Sequence, residues 1–327
     1  EGGQAILLLN RRGYATHICC ASAACGWTLQ CHACDAALVL HQHESLPRGG
    51  VVRCHHCLGE ELVPKVCPVC GRGLARLGTG TQRVEEELIG LGLGEGTLLR
   101  VDSDSMDTAR DYFEALSRFA RGEVRVLLGT QMVAKGLDFP NVRLVGVLSA
   151  DTSLHIPDFR AGERTFQLIC QVAGRAGRGE HAGLVVVQTM SPREPAIVLA
   201  GRHDYEAFAG SELRARMASG LPPATRMARV VTRDKDHQSA TEHADRIAAA
   251  MTQAVSAGLP GAAPGSVTIM GPLDCAVGRI AGQYRVGVEV VAPSAGVLHR
   301  LLGALREKRL LKSDAHTAVD VDPVSLM

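Results

Sequence analysis

Val126-Leu-Leu-Gly-Thr-Gln-Met-Val-Ala-Lys-Gly-Leu-Asp-Phe139 is the stretch on which the fold turns. Its apolar start reads as a buried strand that stops at Gly129-Thr130-Gln131. Open α/β sheets bind ligands at the carboxyl ends of their strands, so a hydroxyl, an amide and backbone groups placed there can meet phosphates. Around it the pattern alternates: a helix from about Gln82, a strand over 98–101, a helix over 108–121, strands over 124–128 and 142–148, a helix from about Gly162 and a strand over 183–188. Strands alternating with helices predict a doubly wound parallel sheet. Upstream, residues 5–9 followed by Asn10-Arg-Arg-Gly13 read as one more buried strand, ending in a basic turn.

Between that first strand and the rest of the sheet lies a cysteine cluster. Nine of the eleven cysteines fall between Cys19 and Cys70; only Cys170 and Cys275 lie outside. A secreted disulfide scaffold is small and cysteine-dense throughout, whereas a local cluster in a long chain points to metal binding in a reducing cytosol. Four pairs follow in order: Cys20 with Cys25, Cys31 with Cys34, Cys54 with Cys57, and Cys67 with Cys70. The last three have the Cys-x-x-Cys spacing with which one tight turn grips a tetrahedral ion. The gap between the second and third pairs suits a zinc ribbon. The expected arrangement is therefore nested, with Cys31, Cys34, Cys54 and Cys57 around an inner zinc and Cys20, Cys25, Cys67 and Cys70 around an outer one. An insertion must bring its ends together to rejoin the host sheet. The wider first pair leaves Cys19 as an alternative to Cys20, and His17, His32, His55 or His56 could supply a nitrogen. Eight thiolates already fill two sites, which leaves no open position for a catalytic water and makes both zinc ions structural.

The 327 residues suffice for two to three domains. A formal net charge of +1 provides no global field toward nucleic acid, so any basic surface is local. Apolar runs fall well short of a membrane span, and no secretory pattern opens the chain. It begins at Glu1, inside a strand-like run, and reads as a fragment of a longer protein. Beyond Gly220-Leu-Pro-Pro223 the order is strand (227–232), helix (238–257), strand (267–270), strand (285–291), helix (295–308) and strand (317–321). That is the split βαβ pattern. The expected domains are 1–19 as the first strand and turn of a lobe, 20–77 as the cysteine insertion, 78–200 as the rest of the lobe, 201–225 as a linker with an amphipathic helix over 205–219, and 226–327 as a small α+β domain.

A second motif, Gln171-Val-Ala-Gly-Arg-Ala-Gly-Arg178, places two arginines three apart, on one face if the segment is helical. Planar guanidinium forks suit a transferring phosphoryl group. Alone, such a pair is usually a solvated helix face.

Taken together, Leu9-Asn-Arg-Arg-Gly-Tyr14, the four cysteine pairs, Gly129-Thr-Gln-Met-Val-Ala-Lys-Gly136, Pro157-Asp-Phe-Arg-Ala-Gly-Glu-Arg164, Gln171 to Arg178, Leu221-Pro-Pro223 and Val319-Asp-Val-Asp-Pro323 resemble the carboxyl-terminal half of the primosomal protein N′ family, the bacterial replication-restart helicases. The resemblance runs nearly end to end. It implies a RecA-like second helicase lobe, a nested two-zinc insertion, ATP-driven unwinding of DNA with 3′ to 5′ polarity at stalled forks, and primosome assembly. It implies ATP with Mg²⁺ as cofactor of the whole protein. Partners would be forked and single-stranded DNA, primosome proteins, single-strand-binding protein and a replicative helicase loader, in a cytoplasmic, nucleoid-associated setting. Carried onto this chain, Arg175 and Arg178 would act on the phosphates; Gln171, Gly136 and Asp138 would bind nucleotide; Thr130, Gln131 and Lys135 would couple nucleotide state to the DNA strand; and 157–164 would be a supporting segment. The sequence departs from the family at Cys20, whose spacing to Cys25 is wider than usual. No Gly-x-x-x-x-Gly-Lys-Ser/Thr and no Asp-Glu-x-His-type motif occurs, so this chain alone is expected not to hydrolyse ATP.

Two other readings compete: a non-enzymatic zinc module that binds DNA or protein, and another superfamily 2 motor, RNA helicases included, with an unrelated zinc ribbon. One Trp and four Tyr argue against an extended base-stacking platform. Arg11, Arg12, Arg279 and Arg285 are the basic contacts to consider.

Overall fold

A computed structural model describes residues 3–9, 17–22, 24–34, 38–41, 51–54, 56–77, 81–94, 96–102, 105–106, 108–130, 139–156, 158–177 and 182–326. The chain gathers into two compact units. One comprises Glu1–Thr28, Val39–Val51 and Val63–Phe208; the other comprises Leu29–Leu38, Val52–Leu62 and Ala209–Met327.

The first unit is built on a five-stranded parallel sheet of order β10-β9-β1-β8-β7: β1 (Gln4–Leu9), β7 (Leu98–Val101), β8 (Val126–Gly129), β9 (Val142–Leu148) and β10 (Leu184–Val187). Central β1 pairs with β8 from Ala5↔Val126 and with β9 from Gln4↔Val142, the register shifting once before Ala5↔Leu144. Strands β1 and β8 read as near-continuous apolar runs because central parallel strands are covered on both faces. Gln4 is the polar exception. Its buried amide donates to the carbonyls of Phe119 and Val124 at 2.6 and 2.7 Å, so it is satisfied. The helices are α1 (Thr81–Gly90), α2 (Ala109–Ala120), α3 (Asp151–Leu154), α4 (Ala161–Ala173), α5 (Pro195–Gly201) and, running across the boundary between the units, α6 (Tyr205–Ala218). Helix α2 starts on a capping box between Thr108 and Asp111. Its Leu116 and Phe119 join Ile6, Leu127, Val145, Phe166 and Ile169 in one core, where each large side chain contributes about 1.5–3 kcal/mol.

Two short strands, β2 (His17–Cys20) and β6 (Leu74–Leu77), pair antiparallel with His17 opposite Leu77 and Cys20 opposite Leu74. They set the two ends of the cysteine insertion side by side. Within it lie β3 (Val39–His41), β4 (Val51–Arg53) and β5 (Glu60–Leu62).

In the second unit, an antiparallel sheet β12-β13-β11-β14 is formed by β11 (Arg226–Asp234), β12 (Thr268–Ile280), β13 (Gln283–Ala292) and β14 (Thr317–Val321). Helices α7 (His237–Ser256) and α8 (Ala295–Glu307) pack Ala244, Ile247, Met251, Leu298, Leu301 and Leu305 against Val230, Val288 and Val290 of the sheet. Asp236 and Ser294 cap the two helices, accepting from the amides of Ser239 and Val297. The fold is thus α/β with an added α+β domain.

Three details differ from the sequence expectation. Strand β12 runs thirteen residues instead of four, because register shifts carry it past Gly271-Pro272. Gly271 has φ 102°, and a Cβ there would lie 2.6 Å from the Gly287 carbonyl oxygen. Helix α6 forms but buries only Phe208 and Arg216, the latter paired with Glu212 at 2.7 Å, and so has no apolar stripe. Helices α3 and α5 are too short to show a period and were not expected. No helix among the described residues is long and apolar enough to cross a membrane.

Candidate metal centres and motor edge

Two of the cysteine pairs close with the same two hydrogen bonds, and a third shares one of them. In Cys54 to Gly59 the first cysteine's amide donates to the carbonyl two residues past the second cysteine, Gly59, at 2.9 Å, while Leu58 N–H returns to the Cys54 carbonyl at 2.8 Å. In Cys67 to Arg72 the same bonds are Cys67 N–H to Arg72 at 2.7 Å and Gly71 N–H to Cys67 at 2.9 Å. Cys20 also donates to the residue two past its partner, Trp27, at 2.9 Å. In every case the residue after the second cysteine is left-handed: Gly26 at φ 69°, Leu58 at 62° and Gly71 at 71°. The Cys20 pair is therefore the same turn enlarged by two residues. This closure brings the Cys20 sulfur into the outer group, while Cys19 sits in β2 opposite Ala75.

The sulfurs of Cys20, Cys25, Cys67 and Cys70 form one group, and those of Cys31, Cys34, Cys54 and Cys57 another, each within 4.8 Å. The arrangement is nested. Individual separations are 3.3 Å for Cys20–Cys70, 3.7 Å for Cys25–Cys67 and 3.6 Å for Cys31–Cys57. A disulfide would need about 2.05 Å. Four sulfurs bonded tetrahedrally at about 2.3 Å to one zinc stand roughly 3.8 Å apart, so the donor sets fit such an ion. Neither group includes a histidine: His32 pairs instead with Glu61 at 3.2 Å, and His55 and the His17 side chain lie outside the described residues.

The thiols within each group are unequal. Burial, with the neighbouring Cys57 and Cys54 thiols, pushes Cys34 up to about 12 against the pull of the Ala281 amide. The Gly59 amide and the Cys31 thiol bring Cys57 down to about 7. In the outer group burial pushes Cys67 up, but the Cys70 and Val69 amides and the Cys25 thiol outweigh it and bring it to about 7. For Cys20, the Ser22 amide pulls down and is overcome by burial and three neighbouring thiols, to about 12. Each group thus has one thiol brought down toward neutrality, Cys57 or Cys67, while metal binding must displace the proton that Cys34 or Cys20 holds more tightly.

At the carboxyl edge of the parallel sheet, Thr130 directly follows β8. Gln171 lies exposed on the last turn of α4, which ends at Ala173 with Gly174 as C-cap. Arg175 therefore falls beyond the helix, in a turn that continues to Gly177, whose amide donates to the Val142 carbonyl at 3.1 Å. The one-face helical arrangement of the two arginines does not form through Arg175. Gln131, Lys135, Gly136, Asp138 and Arg178 lie outside the described residues, as do Arg11 and Arg12. The segment before α4 has a clear local role. Buried Asp158 accepts from the Arg160 amide at 3.0 Å and pairs with Arg164 at 3.1 Å, fixing the start of the helix that carries Gln171.

One cluster at this edge was not anticipated. Asp102, buried just past β7, accepts from the hydroxyl of Thr81, the first residue of α1, and from the Ser105 amide at 2.9 Å; Arg100 approaches it at 3.5 Å. The hydroxyl-rich Thr79-Gly80-Thr81 was the available signal, but no spacing tied Thr81 to an aspartate 21 residues on.

A parallel-sheet lobe interrupted by paired cysteine turns and followed by a small α+β domain defines the class: the second lobe of a helicase motor with an insertion whose two cysteine groups could each hold a metal ion. Residues 80–180 match the helicase conserved C-terminal domain family, and residues 217–324 match the primosomal protein N C-terminal domain family. Replication restart protein PriA of Bacillus subtilis (strain 168) is 39% identical over 331 residues, covering 100% of this chain and 39% of that protein. Those of Treponema pallidum (strain Nichols) and Haemophilus influenzae (strain ATCC 51907 / DSM 11121 / KW20 / Rd) are 38% and 36% identical, again over 100% of this chain and over 47% and 43% of theirs. The chain belongs to the PriA family and corresponds to its carboxyl-terminal half; it spans less than half the length of these relatives.

Proposed function

We propose that this chain is the carboxyl-terminal part of an ATP-dependent DNA helicase that restarts stalled replication forks. The observation that carries the reading is a helicase-type lobe holding two nested cysteine groups between β1 and β7, in a chain similar throughout to PriA relatives. In this reading both groups hold structural Zn²⁺, since all four positions are protein thiols. Gln171, Arg175 and Arg178 reach ATP held with Mg²⁺ by another lobe, with Gly136 and Asp138 beside it. Thr130, Gln131 and Lys135 pass nucleotide state to the DNA. Translocation is 3′ to 5′, on forked and single-stranded DNA, and primosome proteins, single-strand-binding protein and the helicase loader are the protein partners. The setting is the bacterial cytoplasm.

Arginine can stabilise charge spread over a transferring phosphoryl group, so Arg178→Ala in the full-length protein should cut DNA-stimulated ATP turnover by about 10³-fold while leaving DNA affinity nearly unchanged. Phosphate release and fluorescence anisotropy on forked DNA measure the two. Near-normal turnover would remove Arg178 from the mechanism.

A further inference from the structure

The inner cysteine group does not stand alone. Both of its segments, Leu29–Leu38 and Val52–Leu62, cluster with residues 209–327, in the same unit as the carboxyl-terminal domain. The contact is specific. Strands β12 and β13 meet in a two-residue turn: Arg279 pairs with Tyr284 and Ile280 with Gln283, and Ala281 and Gly282 between them are left-handed at φ 50° and 79°. Such a turn matches strand twist but leaves the amides of its two central residues without partners in the ladder. Here both find acceptors in the same cysteine loop. Ala281 N–H donates to the Cys34 sulfur at 3.1 Å, across 247 positions of sequence, and Gly282 N–H donates to the Ala33 carbonyl at 2.6 Å. Cys34 is itself buried to 1% exposure.

A sulfur that is both buried and metal-bound carries negative charge that no water can solvate, and a backbone amide aimed at it disperses that charge. Four thiolates around a divalent cation leave a net charge of −2, so such donors stabilise the loaded form. Asn-Gly is the common choice for this turn, yet an alanine occupies its first left-handed position. The amide is what that position contributes to the centre.

We infer that the β12–β13 turn is an integral part of the inner metal centre: Ala281 and Gly282 supply its outer hydrogen bonds, and metal occupancy and order at the hairpin tip are one coupled equilibrium. This rests on the reading that the inner group binds metal. Loss of that ion would then loosen a turn in the carboxyl-terminal domain, although the turn contains no ligand. The outer group has no such link among the described residues.

The test uses the 327-residue chain loaded with ¹¹³Cd²⁺, after metal analysis. A hydrogen bond to a metal-bound sulfur transmits scalar coupling, so the Ala281 amide proton should show coupling to the inner cadmium. Cys57→Ser should abolish it and speed hydrogen exchange at Ala281 and Gly282, whereas Cys67→Ser should leave both unchanged. Ala281→Pro, which removes the donor together with the left-handed turn that aims it, should weaken inner-site affinity about 10- to 100-fold, and Ala281→Gly, which keeps both, should not. Two bound ions with no coupling at Ala281, and equal exchange rates in the two cysteine variants, would overturn the inference and leave the metal reading intact. No bound ion at the inner group would overturn both.

Discussion

The three left-handed residues that close the cysteine turns are not chemically equal. Two are glycine and one is Leu58, exposed with φ 62°. An L side chain in that region costs roughly 1–2 kcal/mol, partly offset by the greater freedom glycine has when unfolded. Gly71 offers a clean measurement, because a Cβ built there touches nothing within 4 Å and the whole effect is backbone conformation. Gly71→Ala should destabilise the outer centre by about 1 kcal/mol, and Gly71→Asn by less, since asparagine tolerates this conformation better. Trp27, the sole tryptophan, receives the Cys20 amide bond, so its emission in a urea titration reports on this centre. Equal losses in the two variants would mean that the turn is not set by φ. The same detail explains what was readable at this scale. Eight cysteines and three Cys-x-x-Cys spacings were legible. The choice of Cys20 over Cys19 was not, because it follows from where a hydrogen bond closes the turn; Gly26, one past Cys25 as Gly71 is one past Cys70, was the signal for it.

Among the elements, β2 and β6 explain why the nested pairing suits an insertion. Their register, from His17↔Leu77 to Cys20↔Leu74, clamps the two ends together, with the outer ligand Cys20 as the last paired residue and Cys25, Cys67 and Cys70 inside the insertion beyond it. The apolar core there is small: among the described residues Ile18, Leu29, Leu38 and Val52 are buried besides the cysteines, while Leu58, Leu62, Val66 and Val69 are all exposed. Metal binding and folding should therefore be one equilibrium for the insertion, whereas the parallel sheet holds itself through Ile6, Leu127 and Val145. Fresh protein should contain two zinc ions by metal analysis. Chelation should raise hydrogen exchange throughout 20–77 and leave β1, β8 and β9 protected. Cys31→Ser should lose the inner ion first and Cys67→Ser the outer one. One ion or none, or collapse of the parallel sheet on chelation, would contradict this. The strands of that sheet were legible because runs such as 126–129 and 142–148 are mostly Val and Leu and contain no proline, so their single glycines do not outweigh the apolar pattern. Strand β12 was not, because Gly271-Pro272 signals a break that its bulges absorb.

Over the whole molecule, the order of motifs carried the family, while the attachment of the inner cysteine loop to the β12–β13 turn was invisible in advance, since backbone amides leave no trace in residue type. The motor residues pose a different case. Catalysis needs groups that cradle the β- and γ-phosphates and hold Mg²⁺, and no Walker-type motif occurs in these 327 residues. In the function proposed above, arginines such as Arg175 only assist phosphates that another lobe has positioned. DNA contact has no such requirement, because Lys and Arg release counterions from the phosphate backbone whether or not nucleotide is bound. With 35 basic and 34 acidic residues, that attraction is local and modest. The chain by itself should therefore bind forked or single-stranded DNA weakly, lose affinity steeply between about 50 and 200 mM salt, and release no phosphate from ATP at any DNA concentration. Anisotropy titrations at the two salt levels, run beside a phosphate-release assay, measure both halves. ATP hydrolysis stimulated by DNA would show that the chain carries a nucleotide cradle of its own. Absence of DNA binding at low salt would instead make the cysteine insertion and carboxyl-terminal domain surfaces for protein partners, because the counterion argument applies to any accessible basic patch.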